Sequence, residues 1–156
     1  MKLLEIGGNR RPSVMMECDE VEYVGVDPNY SESCYDDGIY KARVQDLDPD
    51  IVGQFDYIFA ANVLSNRLND SERFCIVRAA SKLLLESGQI VFLEEYAPVQ
   101  ANLRSFAPLV DGVVVYDRSP IFKKIWSQHR QGDLAEVVRS RTETLKIPMQ
   151  MLVNNA

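Results

Sequence analysis

The run Lys2-Leu3-Leu4-Glu5-Ile6-Gly7-Gly8-Asn9-Arg10-Arg11-Pro12 most constrains the fold, because an apolar strand-forming stretch carries a carboxylate at its end and breaks at once into a glycine turn. A second apolar run, Val21 to Val26, closes on Asp27. Two such strands, with a glycine turn after the first and an acid ending the second, form the general layout of a nucleotide-binding βαβ unit. The connection from Asn9 to Glu20 is expected to hold a brief helix from about Pro12 to Cys18, since proline suits a first helical turn.

Further strands are expected near residues 38–44, 55–60 and 89–95, with helical or loop material between them. Asp70-Ser71-Glu72-Arg73 starts a helix whose Phe74, Val77, Ala80, Leu83 and Leu84 recur at spacings of three and four, and Ser87-Gly88 ends it. Gln89 to Leu93 is almost continuously apolar, as a strand covered on both faces should be. Beyond Pro98 the chain offers a helix over Val99 to Phe106, a strand over Gly112 to Tyr116 and an amphipathic helix over Asp133 to Thr142. A last strand over Lys146 to Val153 is irregular or at an edge because of Pro148. This alternation predicts an α/β fold, a doubly wound and mostly parallel sheet with a short or reduced C-terminal part, in a single domain spanning residues 1–156.

A chain of 156 residues, 46% apolar and 26% charged, can bury one core. The longest apolar runs are interrupted within a few residues and the N-terminus has no basic-then-apolar leader, so neither a membrane span nor a secretory signal is expected. The expected location is the cytoplasm. Cys18, Cys34 and Cys75 are widely spaced and odd in number, which argues against a disulfide framework and a zinc site and for buried thiols. The net charge of −6 comes from an acidic body and a basic tail after residue 100. Arg118, Lys123, Lys124 and Arg130 are interleaved there with Phe122 and Trp126, a mixture able to grip RNA. With no nucleic-acid fold signature beside it, the favoured reading is long basic side chains covering apolar surface.

The order of these motifs resembles the class I methyltransferase fold that uses S-adenosylmethionine, over roughly residues 2 to 96. Glu5-Ile6-Gly7-Gly8-Asn9 is similar to that family's acid and glycine-rich turn, with Asn9 at its second glycine position; asparagine tolerates the left-handed backbone. Asp27 matches the acid that accepts the ribose hydroxyls, although Asp27-Pro28-Asn29 also reads as a plain turn. Val44-Gln45-Asp46-Leu47 resembles the segment beside the adenine, where Asp46 would accept from the amino group; its other reading is the start of the Asp48-Pro49-Asp50 turn. Phe55 to Leu64 followed by Leu83 to Val91 resembles the fourth strand, helix and fifth strand, placing Asn62 where the fourth strand opens toward a ligand. The resemblance implies S-adenosylmethionine as cofactor and methyl transfer to a small-molecule or partner-presented acceptor, with Glu5, Gly7, Gly8, Asn9, Asp27, Asp46 and Asn62 around the cofactor.

Methyl transfer is an in-line displacement, so the protein must align the acceptor and accommodate any proton it releases. No histidine follows the fourth strand. Glu94, Glu95 and Tyr96 are the better-placed acceptor-site candidates, against the plainer reading of one buried and one exposed acid. The lone His129 is a weaker candidate, since nothing ties it to the cleft. The chain lacks an inserted cap to build an acceptor site. An alternative is therefore a catalytically reduced methyltransferase-like binding or scaffold protein acting through association, and a homo-oligomer is another way to complete the site. A dehydrogenase is a third reading; Arg10 and Arg11 suit a phosphate, but the turn does not supply GxGxxG.

Overall fold

The computed structural model describes residues 1–7, 14–15, 21–61, 63–64, 67–117 and 147–148. Strands β1 (Lys2–Ile6), β2 (Val14–Met15), β3 (Glu22–Val26), β4 (Ile39–Tyr40), β5 (Phe55–Ala61), β6 (Leu84–Glu94), β7 (Val113–Asp117) and β8 (Ile147–Pro148) are accompanied by helices α1 (Pro49–Val52), α2 (Asp70–Ser81) and α3 (Ala97–Ser105). Six strands form one all-parallel sheet in the order β4-β3-β1-β5-β6-β7, while β2 pairs with β8 in parallel as a separate ribbon. The chain therefore starts in the middle of the sheet, runs outward to β4, returns to β5 beside β1 and runs outward again to β7. That reversal creates a crevice at the carboxyl ends of β1 and β5, the usual ligand position in an open α/β sheet.

Side-chain alternation divides the sheet into two faces. Leu4 and Ile6 of β1, Val24 and Val26 of β3, Ile58 and Ala60 of β5, and Ile90 and Phe92 of β6 join Val77 and Ala80 of α2 and Val99 and Leu103 of α3 in one apolar core. Burying each of the larger side chains contributes roughly 1.5–3 kcal/mol. The opposite face carries Leu3, Phe59, Val91 and Leu93, also buried, but toward β3 it turns polar with Glu5, Tyr23 and Gly25.

Helix α2 begins where a capping box closes its first turn. The Asn69 side chain accepts from the Glu72 N–H at 2.8 Å, and the Glu72 carboxylate accepts from the Asn69 N–H at 3.0 Å. Pro98 lies in the first turn of α3, where a missing N–H costs nothing.

Several elements differ from the sequence expectation. The strand expected over 38–44 shrinks to Ile39–Tyr40, because a 3₁₀ turn takes Val44–Asp46. The helix expected over residues 12–18 gives way at Val14–Met15 to a strand paired with Ile147–Pro148; a helix that short is marginal in isolation, so a pairing partner decides. Helix α2 ends at Ser81 instead of running to Ser87-Gly88, and Leu84 already pairs with Phe55 as strand. Leucines at 83–85 satisfy either period, so the apolar pattern alone cannot find that boundary. The helix over Asp133 to Thr142 lies outside the described residues. Cys75 is exposed and Cys34 half-buried, both free, in contrast to the expected buried thiols. No described helix is long and apolar enough to cross a membrane.

Candidate functional site

A cleft of about 620 Å³ opens at the carboxyl ends of β1, β3 and β5 and continues between the Val44–Asp46 turn and the first turns of α2. This volume lies within the usual range for a small-molecule or cofactor pocket. Its walls are largely apolar, with Ile6, Val26, Pro28, Val44, Leu64 and Ile76, and its polar groups include Asp27, Asn29, Gln45 and Arg67.

Gly7 lines the cleft where β1 ends. Its N–H extends the ladder by donating to the Val26 carbonyl at 2.9 Å, after which the chain turns through a positive φ of 74°. A Cβ at this position would lie 2.5 Å from Cγ2 of Val63. Both the left-handed backbone and the contact across to the segment after β5 thus require glycine.

Asp27 follows the last residue of β3 and also lines the cleft. Its Oδ1 accepts from the Asn29 N–H at 2.7 Å, an Asx turn that fixes the carboxylate relative to its own backbone. Turn and ligand-facing acid are therefore compatible readings of Asp27-Pro28-Asn29.

The remaining sequence candidates separate. Glu5 is 2% exposed and does not line the cleft; it lies on the polar face of the sheet, where the Tyr23 hydroxyl donates to Oε2 at 2.6 Å. Burial, and then the neighbouring Glu5 carboxylate, push the Tyr23 phenol well above its ordinary pKa. Asp46 is exposed and accepts from Arg43 Nε at 2.9 Å and Nη2 at 3.1 Å, which holds its carboxyl below the usual range. Its neighbour Gln45 lines the cleft instead. Glu94 is buried, Glu95 and Tyr96 are exposed, and none of the three lines the cleft. Gly8, Asn9, Asn62 and His129 lie outside the described residues. Among the described residues no group of three His, Cys, Asp or Glu side chains could hold a metal ion.

Sequence reasoning missed the support behind the cleft. Arg73 on α2 is 7% exposed, and its guanidinium donates to the Leu68 carbonyl at 2.6 Å, to Asn102 Oδ1 of α3 at 2.6 Å and to Asp70 Oδ1 at 2.7 Å. A buried charge requires such full pairing, and here it ties a cleft-lining loop to two helices. Asp70 and Leu68 are local to Arg73, three and five residues away, whereas Asn102 of α3 meets it only through the fold. Cys75 and Arg67 also line the cleft without having been singled out for it.

No family model, no curated protein and no solved structure matches the chain.

Proposed function

We propose that the protein binds S-adenosylmethionine in this cleft and transfers its methyl group to a small-molecule or partner-presented acceptor. The observation that carries the reading is the convergence of Gly7, Asp27 and Gln45 on one largely apolar cavity at the switch point of the sheet. The residues present fit such a ligand. Asp27 would accept the ribose hydroxyls while its Oδ1 stays anchored to Asn29. Gln45 would meet the polar edge of the adenine between the apolar surfaces of Pro28 and Val44, and Gly7 would admit the ligand close to the backbone. When bound, the sulfonium supplies an activated methyl group, and the role of the chain is to orient it and exclude water.

A catalytically reduced binding or scaffold protein is the second reading. It is supported by the structural use of the cleft carboxylates, since Asp27 accepts from the Asn29 N–H in its turn and Glu72 accepts from the Asn69 N–H in the helix cap. The six-strand parallel order is also that of dinucleotide-binding domains.

Calorimetric titration with S-adenosylmethionine, S-adenosylhomocysteine, NAD and NADP separates these readings. Saturable binding of the first two, abolished in Asp27→Ala, is the expected result. Binding of the dinucleotides alone overturns the proposal, and binding of none of the four favours the scaffold. A mass increase of one methyl group on an acceptor then distinguishes transfer from binding.

A further inference from the structure

The connection from β3 to β4 is anchored by a single side chain. From Asp27 to Gly38 every residue is exposed or half-buried except Tyr30, which is 7% exposed. Tyr30 closes the turn carrying Asp27, with its N–H reaching the Asp27 carbonyl at 3.4 Å. Its ring passes back over β3, where Gly25 leaves the space. A Cβ on Gly25 would lie 2.9 Å from the Tyr30 hydroxyl, 3.2 Å from the Tyr23 hydroxyl and 3.3 Å from Ile39 Cδ1. Gly25 pairs with Glu5 across β1 and β3, so the Tyr30 hydroxyl sits beside the polar cluster, while Asp27, Pro28 and Asn29 of the turn it closes line the cleft.

We infer that Tyr30 is a positioning residue for Asp27, its buried side chain laid back with the hydroxyl against Gly25 so that the Asp27–Tyr30 turn holds the Asp27 carboxylate at the cleft. The buried Tyr30 hydroxyl has no hydrogen-bond partner among the described residues. The anchor is therefore the packed ring, and the hydroxyl adds only the desolvation cost of an unmade hydrogen bond. Two consequences follow from the geometry. Phenylalanine serves as well as tyrosine at position 30, and alanine at position 25 forces the tyrosine side chain to shift but leaves more room for phenylalanine, which lacks the atom at 2.9 Å.

The ligand readout rests on the proposed S-adenosylmethionine site, so a ligand-independent readout accompanies it. Gly25→Ala, Tyr30→Phe, Tyr30→Ala and the Gly25→Ala/Tyr30→Phe double variant are compared, first for a cooperative melt. Affinity for S-adenosylhomocysteine is then measured by calorimetry, and exchange of the Asn29 and Tyr30 amide hydrogens by NMR. Gly25→Ala and Tyr30→Ala are expected to weaken binding roughly tenfold or more and to accelerate both amides. Tyr30→Phe is expected to match the parent, and the double variant to recover most of the loss caused by Gly25→Ala. Parent-like binding and exchange in a folded Gly25→Ala chain overturn the inference. So does failure of the double variant to recover, or a loss in Tyr30→Phe alone. Should the parent chain bind no S-adenosylhomocysteine, the proposed function fails, while amide exchange still decides the role of Tyr30. If Gly25→Ala does not fold, the contrast between Tyr30→Phe and Tyr30→Ala decides it.

Discussion

The two halves of the sheet are built differently. On one side of β1, β5 and β6 are seven and eleven residues long, and β6 carries buried Ile90, Val91, Phe92 and Leu93 in succession beneath two helices. On the other side, β3 and β4 are five and two residues long and are joined by turns with one buried anchor. The long half offers apolar area and regular hydrogen bonding, and the short half brings Asp27 and Gln45 to the cleft at the carboxyl edge and carries Tyr23 and Tyr30 beside Glu5 on the polar face of the sheet. Stability and ligand chemistry are thus expected to respond to different substitutions, as is common where irregular connections are positioned by a rigid scaffold.

The strongest way to break this division is Phe92→Ala. The side chain is fully buried in the apolar core, and its loss is expected to cost about 3–5 kcal/mol in urea unfolding. A loss below ~1 kcal/mol would mean that the long half is not the stable one. Next, Asp27→Ala should weaken S-adenosylhomocysteine roughly tenfold to a hundredfold while moving the unfolding midpoint little. An equal effect on both measurements would dissolve the distinction between the halves.

A smaller effect sharpens the roles within the short half. Gln45→Ala should weaken the same ligand several-fold, roughly the loss of one neutral hydrogen bond, whereas Asp46→Asn should leave affinity unchanged, because Arg43 already holds that exposed carboxylate. The reverse ranking by calorimetry would assign the adenine edge to Asp46.

The smallest expected effect is alkaline. Burial, then Glu5 and Asp27, push the Tyr30 phenol from 10.0 up to about 12. The unfolded chain releases this proton first, so the stabilisation is complete below pH 10.0 and is lost as pH rises toward about 12. Tyr23 is shifted in the same direction. Tyr30→Phe should therefore flatten the decline in melting temperature over that interval, and an unchanged slope would show that Tyr30 has an ordinary pKa.

Much of the long half was legible because its signals are local. The apolar run Gln89 to Leu93 can be little other than a covered strand, and the Asp70 helix has its apolar spacing in sequence. Its end was not legible, since Leu83 to Leu85 fit both helix and strand until Phe55 is available to pair with Leu84. In the short half, the acid after β3 could be read from Val26-Asp27, but not which side of the sheet each acid serves. Glu5 and Asp27 look alike as strand-end carboxylates. One is buried under Tyr23 and the other borders the cleft.

The sequence by itself determined the α/β alternation and the order of the strands of the main sheet, opening on a strand that breaks into a glycine turn, because apolar period, glycine and proline placement act within a few residues. The tertiary structure alone decided which polar groups meet at the cleft. It set Gly7 against Val63, left Asp27 and Gln45 at one cavity, placed Glu5 under Tyr23 and joined Arg73 to Asn102. Those outcomes depend on contacts between strands and turns brought together by the crossover of the chain, and a hydrogen bond or packed ring exists only when both partners are in place.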